Sequence, residues 1–308
     1  MKKQILSIIF LSLMAIGAYA QEAPVMNNLE DSLRVGWWDR NTQVALNFSQ
    51  ASFNDNWQGG GVNNFAIGLL FNNLAVKHKG KGVWTNDIQF QYGFLKNKGI
   101  DLRKSVDRLF AESKYASSIS PKLNWFAGVN LLSQLSGGYE FGDDGVRGNM
   151  ISNFFAPAFL SEGIGLEWVP KPYFTVQLGG ATVRQTLVFN DEVFENKAIE
   201  VEAKNGEIIR RAYGVDEGKN ILNELGVQAV ASFDKNITEN FNLKWRYQAF
   251  VAYAPETKPI DHNINLIATS KIGKYFNVNF SLIGIYDEDQ VKKFQLSQGL
   301  SAGFSLAL

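Results

Sequence analysis

The sequence predicts an all-β fold, a transmembrane antiparallel up-and-down β-barrel of about twelve strands. Three observations carry that expectation. Long segments alternate apolar and polar side chains with a period of two, the signature of a strand with one dry face. The connections between these segments are alternately short and long, as in outer-membrane barrels. After residue 20 no uninterrupted apolar run reaches the about 20 residues of a spanning helix, yet the chain holds 28 Gly and 40 aromatic residues (23 Phe, 10 Tyr and 7 Trp). Aromatic rings suit the two membrane interfaces, where one end of the ring is dry and the other wet.

The last segment is the clearest. Phe294, Leu296, Leu300, Ala302, Phe304, Leu306 and Leu308 share one parity, and Gln295, Ser297, Gly299, Ser301, Gly303 and Ser305 the other. Outer-membrane barrels commonly end on such a strand, most of them in Phe; this chain ends in Leu308. The same rule finds Phe241 to Tyr253, Trp84 to Phe94, Phe276 to Leu282 and Leu225 to Phe233. Twelve segments result, at about 41–50, 63–77, 82–95, 106–120, 123–136, 161–169, 173–188, 221–234, 239–253, 261–272, 275–286 and 294–308. Most exceed the usual globular strand of about 5–6 residues. Three segments are ambiguous. The second, Phe65 to Val76, is apolar on both faces in places. The fourth starts weakly around Arg103–Asp107, and the seventh switches parity at Gly179-Gly180, which reads as a β-bulge that keeps Arg184 off the lipid. Counts of ten or fourteen strands stay open.

Short links follow the even-numbered segments, around Gly80, Pro121, Pro170-Lys171-Pro172, Lys235-Asn236 and Gly273-Lys274. The longest of the others lie near 137–160 and 190–220. An even strand count with this alternation puts both chain ends and the short turns in the periplasm.

Lys2, Lys3, the apolar run Ile5 to Ile16 and Ala18-Tyr19-Ala20 have the layout of a secretory signal peptide over residues 1–20, cleaved before Gln21. Residues 21–39 form a periplasmic N-terminal segment, either a tail anchored by Trp37-Trp38 or a short plug, and residues 40–308 form the barrel. The expected location is therefore the outer membrane of a Gram-negative cell. The expected partners are outer-membrane lipid, lipopolysaccharide and the barrel assembly machinery. The chain has no Cys, which removes disulfides, thiolate chemistry and Cys-based metal sites. Lys plus Arg equals Asp plus Glu, 30 each, so charge balance gives no reason to expect a nucleic-acid partner.

Several short pieces together resemble one family. They are Trp38, Leu46-Asn47-Phe48-Ser49-Gln50, Asn56-Trp57-Gln58-Gly59-Gly60-Gly61-Val62-Asn63, Pro157, Gly163-Ile164-Gly165, Pro170 and Tyr286-Asp287-Glu288-Asp289. On these the chain resembles, from about residue 36 onward, the outer-membrane barrel family catalogued as domain of unknown function 3078. The resemblance implies a barrel and implies no activity or catalytic residue. Within the core motif, Asn56, Trp57, Gly59, Gly60 and Gly61 read as a tight outer turn. A Walker loop would need Lys-Ser or Lys-Thr where Val62-Asn63 stands.

Candidate chemistry is sparse. The chain has two His: His78 beside a short turn, and His262 within Asp261-His262-Asn263, neither next to a recognisable Ser motif. The expectation is no enzyme, no cofactor and no metal site; an outer-membrane lipid hydrolase is a minor alternative. Asp143-Asp144 and Asp287-Glu288-Asp289 supply too few oxygens for a hard cation that takes six to eight, and read as solvated loop charge. The charged stretch 190–220 reads as a solvated loop as well. The lumen is more informative. With apolar parity facing lipid, Asp87, Arg108, Glu112, Lys114, Glu167, Glu224, Lys244, Arg246 and Lys271 face inward. Charges of both signs either pair and fill a narrow barrel or line a small polar path. Two functions follow: a narrow channel or specific pore for small polar solutes, or a non-conducting structural or interaction barrel that displays its outer loops to lipid, polysaccharide or a partner.

Overall fold

The computed structural model describes residues 37–54, 56, 58, 62–142, 144–203, 206–273 and 276–304. The stretch expected to be a signal peptide and most of the segment expected before the barrel lie outside these residues. So do Trp57, Gly59, Gly60, Gly61, Asp143 and the last four residues.

In chain order the strands are β1 (Trp38–Ala51), β2 (Asn64–Lys79), β3 (Gly82–Asn97), β4 (Arg103–Ser120), β5 (Leu123–Ser133), β6 (Gly138–Phe141), β7 (Arg147–Ser152), β8 (Ala158–Lys171) and β9 (Phe174–Leu187). A helix α1 (Asp191–Lys197) precedes β10 (Ile199–Glu202), β11 (Ile208–Ala212) and β12 (Val215–Asp216). The chain continues through β13 (Ile221–Thr238), β14 (Phe241–Ala254), β15 (Asp261–Ile272), β16 (Phe276–Asp287) and β17 (Val291–Phe304). Twelve of these make one antiparallel sheet in the order β1-β2-β3-β4-β5-β8-β9-β13-β14-β15-β16-β17. Each of the twelve segments expected from the alternation holds one strand of that sheet. Along it, every sequence neighbour is a spatial neighbour once the inserts between β5 and β8 and between β9 and β13 are set aside. The sheet curls on itself: side chains from β4 and β14, the fourth and ninth strands of the order, meet across its concave face. Among the described residues no ladder joins β1 to β17.

Two of the three ambiguous segments, the fourth and the seventh, each contain a bulge. Opposite Gly93 and Phe94 stand Val106 and Lys104, so Ser105 is unmatched at the start of β4. Opposite Ile164 and Gly165 stand Ala181 and Gly179, so Gly180 is the extra residue of β9. That extra residue resets the parity, and Thr182, Arg184 and Thr186 beyond it are buried on the concave face.

The convex face is apolar and exposed. Leu46, Phe48, Ile88, Ile164, Leu166, Leu178, Val227, Leu296 and Leu300 all present large side chains there. Near the short-turn end they give way to aromatic rings. Trp84, Tyr115 and Trp125 form one contact chain, with centroids 6.0 and 5.4 Å apart. Tyr173, Phe233, Trp245 and Phe174 form another. Trp84 donates its indole N–H to Ser113 Oγ at 2.9 Å, which satisfies the polar handle of the ring. No helix of the described residues is long and apolar enough to cross a membrane.

At the long-loop end the two inserts build a cap. Stretch 190–220, expected to be a solvated loop, instead holds α1 and the sheet β10-β11-β12. Ala156, Val188, Val193, Phe194, Ala212 and Val215 form its apolar core. Asn190 caps α1 by accepting from the Val193 N–H at 2.8 Å. Tyr213 donates to the Ile151 carbonyl at 2.6 Å and so ties the two inserts together. The many charges pair on the cap's surface: Arg210 with Glu195 (2.6 Å) and Glu217 (2.8 Å), and Arg211 with Asp216 (2.6 Å). The solvated reading fails because the few apolar residues between the charges converge from separate elements.

Candidate functional site

The concave face carries the charges, and they fall into three groups. Nearest the short turns, Lys114 on β4 pairs with Glu167 on β8. Glu167 is 2% exposed and also accepts from Asn124 (3.1 Å) and Gln177 (2.9 Å). A buried carboxylate with one cation and two amides has partners for most of its lone pairs. Beside it, Gly128, Gly163 and Gly179 leave a cavity of about 30 Å³, also lined by Ser161, Gln177 and Gln228.

The middle group spans the lumen. Arg246 on β14 lies 3.8 Å from Glu112 on β4, and Lys244 lies 3.5 Å from Asp234 on β13. Glu112 is the register partner of Asp87 on β3, so two acids stand side by side. Gln89 donates to Asp87 at 2.7 Å, and Arg108 donates to Gln89 at 2.9 Å. The charges of Lys244 and Arg108 act on Asp87 across this space. The Lys244 and Arg246 side chains keep 38% and 31% of their surface in contact with solvent. Neutral residues around these charges are buried: Asn124, Ser161, Gln177, Thr182 and Val230 on β5, β8, β9 and β13, and Asn242, Phe250 and Thr269 on β14 and β15.

The third group lies under the cap. Arg184 reaches Glu224 at 2.8 Å and Asp261 at 2.6 Å, with Phe250 against its guanidinium at 4.3 Å. Lys258, in the loop after β14, reaches Glu224 at 2.8 Å and Asp289 at 2.6 Å. Asp287 is buried and accepts from the Asp289 N–H and the Gln290 amide, both at 3.0 Å. Asp287 and Asp289, expected as solvated loop charges, are therefore drawn inward, because Lys258 and Arg184 supply cations there. Glu288 does stay outside, 3.0 Å from Lys292. Burial pushes the Asp289 carboxyl above its usual range, and Lys258 only partly offsets this. Burial works against the Lys258 ammonium too, but Asp289 and Glu224 more than compensate and carry its pKa above the usual value.

Of the nine residues expected inside, Asp87, Arg108, Glu112, Lys114, Glu167, Glu224, Lys244 and Arg246 sit in these groups. Lys271 is exposed at the short-turn end of β15, apart from them. Sequence reasoning missed Asp234, Lys258 and Asp261. Asp261 and Asp234 share the inward parity of their strands and were open to the same rule; Lys258 lies in a loop, where no period exists. His262 lies on the convex face, its Nδ1 2.7 Å from the Tyr247 hydroxyl and its ring beside Tyr286. His78 stands next to the turn at residues 80–81. Among the described residues, no cluster of His, Asp or Glu has a metal-holding arrangement.

Strand order and inner charges thus define an up-and-down antiparallel β-barrel with a polar lumen. Residues 48–139 match the model of a family described as protein of unknown function (DUF3078). The resemblance read from sequence is shown over that stretch; Trp38 and the pieces at Pro157, Gly163, Pro170 and Tyr286 lie outside it. No curated protein matches the chain. Among solved structures the chain is similar to the NanC porin, at 10% identity and a TM-score of 0.37, covering 87% of this chain and 99% of that one. It is similar as well to the β domain of the Bordetella autotransporter BrkA, at 12% identity and a TM-score of 0.32, covering 87% and 97%. The barrel described here rests on its own ladders and strand order, not on these likenesses.

Proposed function

We propose that the protein is an outer-membrane barrel, with its short turns in the periplasm, whose lumen gives small polar solutes a narrow path. One observation carries this reading: two cations of the inner wall, Lys244 and Arg246, keep about a third of their side-chain surface wetted although each faces an acid. A filled ion-pair core would leave those two cations dry. The apolar convex face and the aromatic rings at its edge support insertion in contact with lipid and lipopolysaccharide. An N-terminal leader and the assembly machinery would deliver it there. The reading includes no catalytic step, since His262 is engaged by Tyr247 on the convex face.

A second reading, a non-conducting display barrel, draws on the folded cap and the Arg184–Glu224–Lys258 network below it. Planar-bilayer recording of the purified barrel separates the two. Steady unitary currents are expected. A silent barrel that nonetheless inserts would overturn the transport reading and leave the display reading standing.

A further inference from the structure

The short-turn end of the lumen opens into a cavity of about 330 Å³. Its walls are the inward residues Val83, Ala116, Ser118, Asn124, Val169 and Lys171, and three turns close its rim. Each turn contributes a lysine: Lys81 between β2 and β3, Lys122 between β4 and β5, and Lys171 at the end of β8. No acidic residue lines it, and the nearest inner acid, Glu167, is already engaged by Lys114, Asn124 and Gln177. Among the described residues, Lys81, Lys122 and Lys171 form no ion pair. Three like charges around one concavity repel each other and are satisfied only by counter-ions. The rim is also stiff. Pro121 precedes Lys122, and Pro170 and Pro172 flank Lys171, so two of the three lysines leave backbone whose φ is fixed nearby. A preset rim loses little freedom when a ligand arrives.

We propose that this mouth is a binding site for a small multivalent anion bearing phosphate or carboxylate groups, with Lys81, Lys122 and Lys171 as its cations. An ammonium on a flexible stem suits a phosphate or carboxylate as a point charge, with no demand for the planar fork an Arg would impose. The site stands whether or not the lumen conducts, since an anion can bind in the mouth of a closed barrel.

The test is isothermal titration of the detergent-purified full-length barrel with pyrophosphate and, separately, with citrate. Both runs use about 0.1 M salt, where the Debye length is about 10 Å, so that only charges near the site act on the probe. Saturable binding of one equivalent is expected for at least one probe, and the chemistry of the tighter one tells phosphate from carboxylate. The triple change Lys81→Gln, Lys122→Gln and Lys171→Gln should weaken it about tenfold or more, as expected when charge-assisted contacts are lost. A control triple, Lys96→Gln, Lys98→Gln and Lys197→Gln, removes equal charge at the opposite end and should leave binding within about twofold, since charges beyond a Debye length are screened. Absence of binding to the natural protein overturns the proposal. So does equal loss in both triples, which would mark a diffuse response to net charge. Heat-modified gel migration of each variant verifies that the barrel has formed, and the single change Lys122→Gln replaces the triple if it has not.

Discussion

Arg246 and Glu112 face one another across the lumen, Nη2 to Oε1 at 3.8 Å, although β14 and β4 are the ninth and fourth strands of the sheet. The pair therefore measures the inner width of the barrel. It also stands where a permeating ion would pass. The double change Lys244→Gln with Arg246→Gln removes two cations that face Asp234 and Glu112. Bilayer currents should shift toward cation selectivity. Both side chains are about one third exposed, so the cost in stability should stay at about 1 kcal/mol or less. Unchanged selectivity in a conducting mutant would show that ions take another route.

The network under the cap should respond oppositely. Arg184→Met leaves Asp261 beside Asp287 without its cation, and leaves Glu224, 1% exposed, to Lys258 alone. Removing one partner of a buried pair costs about 3–5 kcal/mol. Thermal unfolding in detergent should therefore start well below the natural protein's midpoint. A shift no larger than that of a surface substitution, about 0.5 kcal/mol, would show that water already solvates the group.

Two glycines of the bulge region separate cleanly. A Cβ on Gly165 would lie 1.9 Å from the Leu178 carbonyl oxygen, whereas a Cβ on Gly180 meets nothing within 4 Å. Gly165→Ala should reduce the folded barrel seen by gel migration, and Gly180→Ala should not. Deleting Gly180 is a different matter. It would return Thr182, Arg184 and Thr186 to the convex face, where a lipid-facing Arg is destabilising, by about 0–1 kcal/mol at the interface and by more toward the midplane. Normal outer-membrane levels of the deletion would refute the bulge's role.

The cap should loosen in alkali. Burial, reinforced by Glu140, raises the Tyr213 hydroxyl from 10.0 to about 12. Between those two values the open cap releases a proton that the closed cap retains, so closure weakens as pH rises from 10 toward 12. Proteolysis within 190–220 should accelerate over that window in the natural protein. In Tyr213→Phe the acceleration should vanish, while the lost hydrogen bond to Ile151 raises cleavage at neutral pH by the equivalent of about 1 kcal/mol. A Phe variant with the same alkaline onset would point to a different group.

Most strands were open to sequence reading because they obey a period of two over many residues and end at short turns marked by Gly, Pro or Lys; Lys235-Asn236, expected as such a turn, instead lies within β13, whose hairpin turns at residues 239–240. Even the seventh segment followed the rule: Arg184 could not sit on the apolar parity, and Gly180 supplied the correction. The cap was not readable in this way. Val193, Phe194, Ala212 and Val215 come singly or in pairs among charges, and their burial depends on Ala156 and Val188 from other parts of the chain. Lys258 was equally hidden, since a loop lysine carries no sign of the Glu224 and Asp289 that await it. Local pattern encodes the wall of the barrel; long-range convergence encodes what covers it.

That convergence fixes an order of events. The cap core draws Ala156 from the insert before β8 and the remainder from the segment after β9, so neither insert can complete it alone. In the proposed orientation both inserts must be delivered across the bilayer as unfolded chain before the core can form, since polar backbone finds no partners in lipid. Cap formation then follows the delivery of both inserts. A completed globule, bulkier than a loop, would act as a ratchet that opposes withdrawal of β8 and β9.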